Sequence, residues 1–371
     1  MILRNLQIIG DTGIKHIHIK DGKINAIVSD VNELKDIQNE QHVEFDNAIA
    51  FPGLINSHDH LDFNLFPQLR NKVYHNYTEW GKDIHEKNKD IINEVLKVPE
   101  DLRVKWGIYK NLLNGVTTVV NHGKKIQVSK DLITVLQSNS LHSPQFEKRW
   151  KWKLNFMKSP VVMHIGEGTD KNAAKEIDEV IRWNIFKKKI VAVHGVAMNE
   201  KQASHFHGLV WCPASNYFLL DQTATINDLK NKTRVVFGTD STLTAPWNMC
   251  EHFRMAKQSG IMEAELLSML TTEPAKLWGL NTGELVIGKD ADIIVTKKKE
   301  FFDLEPEDIL LVVHNGNVNL IDEPILAQMK EFASSNFSSI RIKGRSKFIK
   351  GNLSGLFNQI KNHFPEVNSP F

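Results

Sequence analysis

Between about residue 50 and residue 280 the chain repeats one pattern: a short apolar run rich in β-branched residues, then a longer amphipathic stretch. Neighbouring parallel strands need a crossover connection, so this alternation predicts βαβ units and a parallel sheet. The clear strands are Ala50 to Ser57, Val116 to Val120, Val161 to His164, Ile190 to His194, Leu209 to Cys212 and Val235 to Gly238, with a weaker one at Leu132 to Leu136. With 371 residues and 41% hydrophobic content the chain can bury a large core. An α/β fold follows, a (β/α)8 TIM-type barrel of about 250 residues with a smaller unit beside it. Seven strands are visible where eight are expected. The interval from His122 to His164 is short for two full strand–helix units, so either a strand lies hidden near Ile126-Gln127-Val128 or the barrel is abbreviated. The interval from His60 to Asn111 is long and rich in polar and aromatic residues, Tyr74, Tyr77 and Trp80 among them, and is predicted to form a lid.

The flanks read differently. Residues 1–49 and 281–323 hold short alternating strands with turns at Asp21-Gly22 and Asn315-Gly316, as in antiparallel β structure. The two pieces are expected to pair into one small β-sandwich beside a barrel of residues 50–280. Residues 324–371 form an extension whose role the sequence leaves open: a helical stretch, a basic strand-like run from Ile340 to Lys350, and an amphipathic segment from Leu353 to His363.

Composition excludes several classes. The net charge of +2 demands neither nucleic acid nor an anionic membrane, and Lys187-Lys188-Lys189 and Lys297-Lys298-Lys299 read as solvated turns or strand ends. Two cysteines, Cys212 and Cys250, make no disulfide framework and no CxxC metal spacing. No secretory signal and no membrane-length apolar run is present. The expectation is a cytoplasmic protein acting on a small molecule, with a homodimer as the default assembly.

Three His-x-His triplets occur, and with 16 histidines chance supplies about 0.7 of them, so context must separate them. His58-Asp59-His60 ends an apolar strand, and strand alternation would point both imidazoles one way and Asp59 another. His16-Ile17-His18 reads as a solvated hairpin face. His205-Phe206-His207 follows a polar segment with a helix-like start, where residues two apart diverge. The ends of the apolar strands collect His58, His60, His164, His194 and Asp240. Burying such groups unpartnered costs roughly 1–3 kcal/mol each, and a shared metal removes that cost. Imidazoles with a carboxylate suit zinc, with iron or nickel as alternatives. Glu167 lies between Gly166 and Gly168 and reads equally as a solvated loop acid or a functional one. The HExxH motif is absent.

PGLINSHDH, GVTTVVNHG, VVMHIGEG, VAVHG, WCPASNYFLL, VVFGTDS and GELVIGKDADIIV together resemble the amidohydrolase superfamily, in its cytosine, guanine and adenosylhomocysteine deaminase-like and chlorohydrolase-like branch. The resemblance spans about residues 45–300 with the motifs in order. It implies metal ligands at His58, His60, His164 and Asp240, a proton-shuttling Glu167, and a His194 that polarises the attacking water or substrate. Asp240 would also take a proton from that water. His142 resembles a substrate-contacting histidine of the fourth strand, Asn216 would order the seventh loop, and Trp80 and Trp211 are further candidates for substrate contact. Members with two metals carry a bridging lysine on the fourth strand, and none lies between Asp131 and Pro144, which argues for one ion.

The resemblance implies a mononuclear metal-dependent hydrolase of non-peptide carbon–nitrogen bonds. Its expected activity is as an aminohydrolase that replaces an exocyclic amine of a nitrogen heterocycle, using hydroxide formed from metal-activated water. Ring-amide or C–X hydrolysis at the same site is the alternative, and a non-catalytic binding protein on the same fold is the third reading. Gly168 and Trp211 depart from the deaminase pattern, so substrate does not transfer from any one relative.

Overall fold

A computed structural model describes residues 1–34, 37, 39–329 and 334–367. Four strands open the chain: β1 (Ile2–Ile8), β2 (Ile14–Lys20), β3 (Lys23–Val28) and β4 (His42–Pro52). Eight follow: β5 (Leu54–Asp59), β6 (Val116–Asn121), β7 (Thr134–Gln137), β8 (Asn139–Leu141), β9 (Val161–Ile165), β10 (Ile190–His194), β11 (Gly208–Trp211) and β12 (Val235–Phe237). The last five are β13 (Ile293–Lys297), β14 (Ile309–His314), β15 (Asn317–Asp322), β16 (Phe337–Ile342) and β17 (Arg345–Lys350).

Both chain ends build one nine-stranded sheet in the order β16-β17-β15-β14-β13-β4-β1-β2-β3. All its pairs are antiparallel except β1 with β4. Alternation divides its side chains. Ile293, Val295, Leu311 and Val313 pack with Leu3, Leu6, Ile17 and Ile24 in a core of the sheet's own, while Ile294, Val312 and Phe51 face the barrel. The tail joins this layer, because β17 pairs with β15 and the helix Leu353–His363 lies on the helix Glu100–Leu113, with Phe357 stacked on Trp106 at 5.8 Å. The helical stretch expected after Pro324 is confined to Glu323–Leu326 as far as the described residues run, since 330–333, like 368–371, lie outside them.

His16 and His18 are not on a solvated face; they are only 7% and 6% exposed. The reason is that β2 is an internal strand between β1 and β3. Asn25 lies 3.1 Å from His18 Nδ1 and Glu40 lies 3.5 Å from its Nε2.

The barrel wall is parallel throughout, β5-β6-β7 and β8 to β12 forming its two arcs. One seam closes where the backbone N–H groups of Thr239 and Asp240 donate to the His58 carbonyl at 3.1 and 3.0 Å, which returns the chain after β12 to β5. At the other seam β7 pairs with β6 and, one residue later, β8 pairs with β9. The run Thr134–Leu141 therefore serves two neighbours in succession with no helix between, and seven lengths of extended chain close the wall. This is the abbreviated form of the barrel. The polar, mostly exposed residues around Ile126-Gln127-Val128 form no strand. The first barrel strand also starts later than Ala50, because 50–52 belong to β4 and the chain changes sheets at Gly53. A Cβ there would stand 2.3 Å from Thr117 Oγ1.

Between β5 and β6 the chain forms helices Tyr77–Lys87 and Lys89–Leu96, which stand over the carboxyl ends of the strands. Among the described residues no helix is long and apolar enough to cross a membrane.

Candidate active site

The end of β5 shows how local geometry sorts its residues. Alternation turns His58 and His60 toward the barrel axis and Asp59 outward into the wall. Asp59 is fully buried and accepts from Lys110 Nζ (3.1 Å), Asn111 Nδ2 (2.7 Å), Asn56 Nδ2 (3.2 Å) and Asn64 Nδ2 (2.6 Å), which ties the strand end to the helix behind it. His164, near the end of β9, donates from Nδ1 to the His142 carbonyl at 2.7 Å. A carbonyl only accepts, so the proton of neutral His164 is on Nδ1 and its Nε2 presents a lone pair. That Nε2 stands 3.2 Å from His58 Nε2 and 3.3 Å from His60 Nε2.

These spacings fit a metal ion. Bonds of about 2.0–2.1 Å place the nitrogens of a tetrahedral zinc site about 3.3 Å apart. Asp240 completes the set, with Oδ1 at 3.8 and 3.7 Å from the Nε2 atoms of His58 and His60. Its Oδ2 accepts from Ser215 Oγ (2.8 Å) and Thr244 Oγ1 (2.7 Å), so one oxygen is anchored and the other faces the imidazoles. Burial first, then the neighbouring imidazoles, hold His58 and His164 well below the ordinary imidazole range, in the neutral form a ligand requires.

His194 and Asp240 both adopt left-handed backbone, at φ 72° and 59°. Such strain costs about 1–3 kcal/mol per residue and collects where a side chain must be aimed. His194 is aimed by a directed chain of hydrogen bonds. Trp211 Nε1, which can only donate, gives to Thr223 Oγ1 at 2.7 Å, and that hydroxyl gives to Asn216 Oδ1 at 3.2 Å. The Asn216 amide therefore turns its N–H to His194 Nδ1, at 2.9 Å. With Nδ1 accepting, neutral His194 carries its proton on Nε2, which points toward Glu167 Oε2 at 3.6 Å. Burial brings the His194 pKa down to about 4. Glu167 is 6% exposed, and burial, reinforced by Asp240 and Glu176, raises its carboxyl well above the usual range.

A cavity of about 740 Å³ opens above these groups. His60, His164, His194, Glu167 and Asp240 line its polar end, and Phe63, Phe66, Ile84, Phe146 and Leu243 make much of the rest. His142 lines it from an exposed position, and Trp80 lines it while donating to the Leu69 carbonyl at 2.8 Å. Tyr77 of the expected lid reaches the cavity, whereas the Tyr74 hydroxyl donates to Asp83 at 2.8 Å. Trp211 is fully buried and is not among the lining residues; its side chain packs near Phe237 and acts on the site through Thr223. The metal-competent clusters found among the described residues are His58 with His164 and His194, and His58 with His60 and Asp240. The tautomer of His194 favours the ligand set His58, His60, His164 and Asp240. His205 and His207 lie in the turn before β11 and take no part.

One residue of the site had no reading in the sequence. His122, directly after β6, is 3% exposed, and its ring lies 4.3 Å from that of His164 and 5.0 Å from that of His58. Neither ring nitrogen makes a well-formed hydrogen bond. The available signal was its place at a strand end, in Asn121-His122-Gly123, the same criterion that picked out His164 and His194.

Residues 151–319 match the amidohydrolase family. A 5-methylthioadenosine/S-adenosylhomocysteine deaminase of Pyrococcus furiosus is 23% identical, over 92% of this chain and 100% of the relative. A protein of that name from Caldanaerobacter subterraneus subsp. tengcongensis is also 23% identical, over 78% of this chain and 79% of its own. Among solved structures, a zinc-bound adenosine deaminase from Xanthomonas campestris superposes with a TM-score of 0.74 at 13% identity, over 99% of this chain and 98% of that one. The Helicobacter pylori aminofutalosine deaminase gives 0.67 at 15%, over 85% and 99%. At such identities the structural likeness speaks for the barrel and its companion sheet. The matched segment contains β9 to β12, and with them His164, His194 and Asp240.

Proposed function

We propose that this protein is a mononuclear metal-dependent aminohydrolase that replaces an exocyclic amine of a nitrogen heterocycle by oxygen and releases ammonia. The observation that carries the reading is a buried Glu167, its carboxyl pushed well above the usual range by burial, on the same cavity wall as the ligand cluster. His58, His60, His164 and Asp240 would hold the ion, zinc by donor set and spacing, and the lack of a lysine on Thr134–Leu141 supports a single ion. When bound, such an ion acts as a Lewis acid and makes water acidic enough to ionise near neutral pH. Asp240, its Oδ2 anchored by Ser215 and Thr244, accepts a proton at Oδ1 from water entering the cavity. His194 donates from Nε2–H to the oxygen arriving at the substrate carbon. Glu167 gives its proton to the ring nitrogen or the departing amine, work that needs a carboxyl protonated near neutrality. Trp80 and His142 face the substrate, and the apolar wall excludes water around it. The deaminase names of the relatives agree with this chemistry.

Metal-loaded protein is expected to release ammonia from at least one member of a panel of aminated purines, pterins, pyrimidines and triazines. The product mass separates amine replacement from ring opening, which adds a whole water. Silence across the panel from fully loaded protein would overturn the reading.

A further inference from the structure

The lysine triplet Lys187-Lys188-Lys189, read from sequence as a solvated turn, borders an apolar patch that the active site does not use. Trp152, Phe156, Ile185 and Phe186 are 63%, 65%, 63% and 61% exposed, and Trp183 is 37% exposed. They form one surface: the Trp152 and Phe156 rings lie 5.2 Å apart, Phe156 meets Phe186 at 6.1 Å, and Asn155 Nδ2 donates to the Trp183 carbonyl while its Oδ1 accepts from the Phe186 N–H. Exposed large apolar side chains scattered singly need no explanation, but three in ring contact, with Trp183 and Ile185 adjoining Phe186 in the chain, do.

Cations surround the patch. Lys148, Arg149 and Lys158 flank the helix Trp150–Phe156, and Lys187, Lys188 and Lys189 follow Phe186. The acids in these segments are already taken, Glu147 by Lys153 at 2.6 Å and Glu179 by Lys151 at 2.6 Å. None of those six flanking cations forms an ion pair among the described residues. The patch also has a defined place. Trp150–Phe156 leads into β9 and residues 183–189 lead into β10, so it lies at the amino ends of the strands whose carboxyl ends carry His164 and His194. The five residues of β10 separate the two faces by about 16 Å.

We propose that this face docks on an anionic lipid surface, the aromatic residues entering the headgroup region and the basic rim pairing with lipid phosphates and carboxylates, with the catalytic mouth left open to solvent. Aromatic side chains with a lysine and arginine border are the composition of interfacial membrane anchors. Two other occupants fit less well. A second copy on a twofold axis would bring the basic rim against itself. Single-stranded nucleic acid needs free ring faces to stack on, and here Trp152 and Phe156 cover each other while Lys151 sits 4.8 Å over the Trp183 ring.

The test is sedimentation of the full chain with vesicles of phosphatidylcholine and phosphatidylserine in equal parts, against phosphatidylcholine alone. Binding is expected to the mixed vesicles only, to weaken with salt, and to quench tryptophan fluorescence when the lipid chains are brominated, a measurement that needs no variant. W152S/F156S/F186S should weaken it at least about tenfold. K187E/K188E/K189E should do so by about fivefold per charge removed, with ammonia release unchanged in both. Folded wild-type protein that ignores the mixed vesicles, or binds both vesicle types equally, overturns the proposal. So does a dimer that W152S/F156S/F186S converts to monomer without vesicle binding, and in that case the patch is a self-contact. Apart from the ammonia control, these results are read from vesicle binding and oligomeric state and do not depend on the catalytic reading.

Discussion

Asn216 shows how much of the site rests on residues that never meet substrate. Its amide orientation follows from Trp211, through Thr223, and decides which nitrogen of His194 carries the proton. Asn216→Ala is expected to lower turnover about 10–100-fold with metal content unchanged, and Trp211→Phe to act in the same direction more weakly, since it keeps the ring volume and loses only the first donor. Kinetics alongside elemental analysis checks both; loss of metal in either variant would move His194 into the ligand set. Glu167→Gln is expected to keep its metal and lose at least about 100-fold in turnover, and persistent activity would remove Glu167 from its role. His58, His60, His164, His194 and Asp240 were legible in the sequence because each ends an apolar strand, where a polar group has few reasons to be. His122 met the same criterion and went unread, since one histidine between Asn121 and Gly123 suggests no partner until the barrel closes. Trp211 was misjudged for a physical reason: at the last residue of a strand, alternation alone does not tell cavity from core unless the register of the next strand is known.

At the scale of elements, the wall of the barrel was readable from its β-branched runs, but its two irregularities were not. Strand run Thr134–Leu141 hides one boundary because a chain that passes from β6 to β9 without a helix leaves no amphipathic stretch to mark it. The passage from β4 to β5 hides another, since both sides of Gly53 are buried and apolar. Gly53→Ala would drive a methyl group into Thr117 and is expected to cost about 1–3 kcal/mol, read as a lower denaturation midpoint; a neutral effect would mean the turn can open. The anchor of β5 gives a larger effect. Lys110 and Asp59 are 2% and 0% exposed, and Lys110→Met leaves a buried carboxylate without its cation, at an expected cost of about 3 kcal/mol, although three asparagine amides remain on it.

For the whole molecule, stability is linked to pH and to metal. Glu176 is 4% exposed, and burial raises it to about 7 from an ordinary 4.5, although it accepts from the Gly166 N–H and the Tyr77 hydroxyl. Below pH 4.5 the carboxyl is protonated folded or unfolded and costs nothing; as pH rises toward 7 only the unfolded chain releases the proton, so stability falls, by up to about 3 kcal/mol. Glu176→Gln should remove that slope, and an unchanged pH profile of the denaturation midpoint would contradict the linkage. Metal acts in the other direction. At a free concentration about a thousandfold above Kd, an ion that binds only the folded chain adds about 4 kcal/mol, so chelation should lower the melting temperature of wild type and of Glu167→Gln alike. The most direct measurement on the central claim is the metal content of protein purified without added metal, by elemental analysis. One equivalent of a divalent ion per chain, zinc foremost, and its loss when His58 and His60 are both replaced by alanine, is the result this account predicts. A chain that stays folded and carries no stoichiometric metal, or keeps it after that replacement, would contradict it.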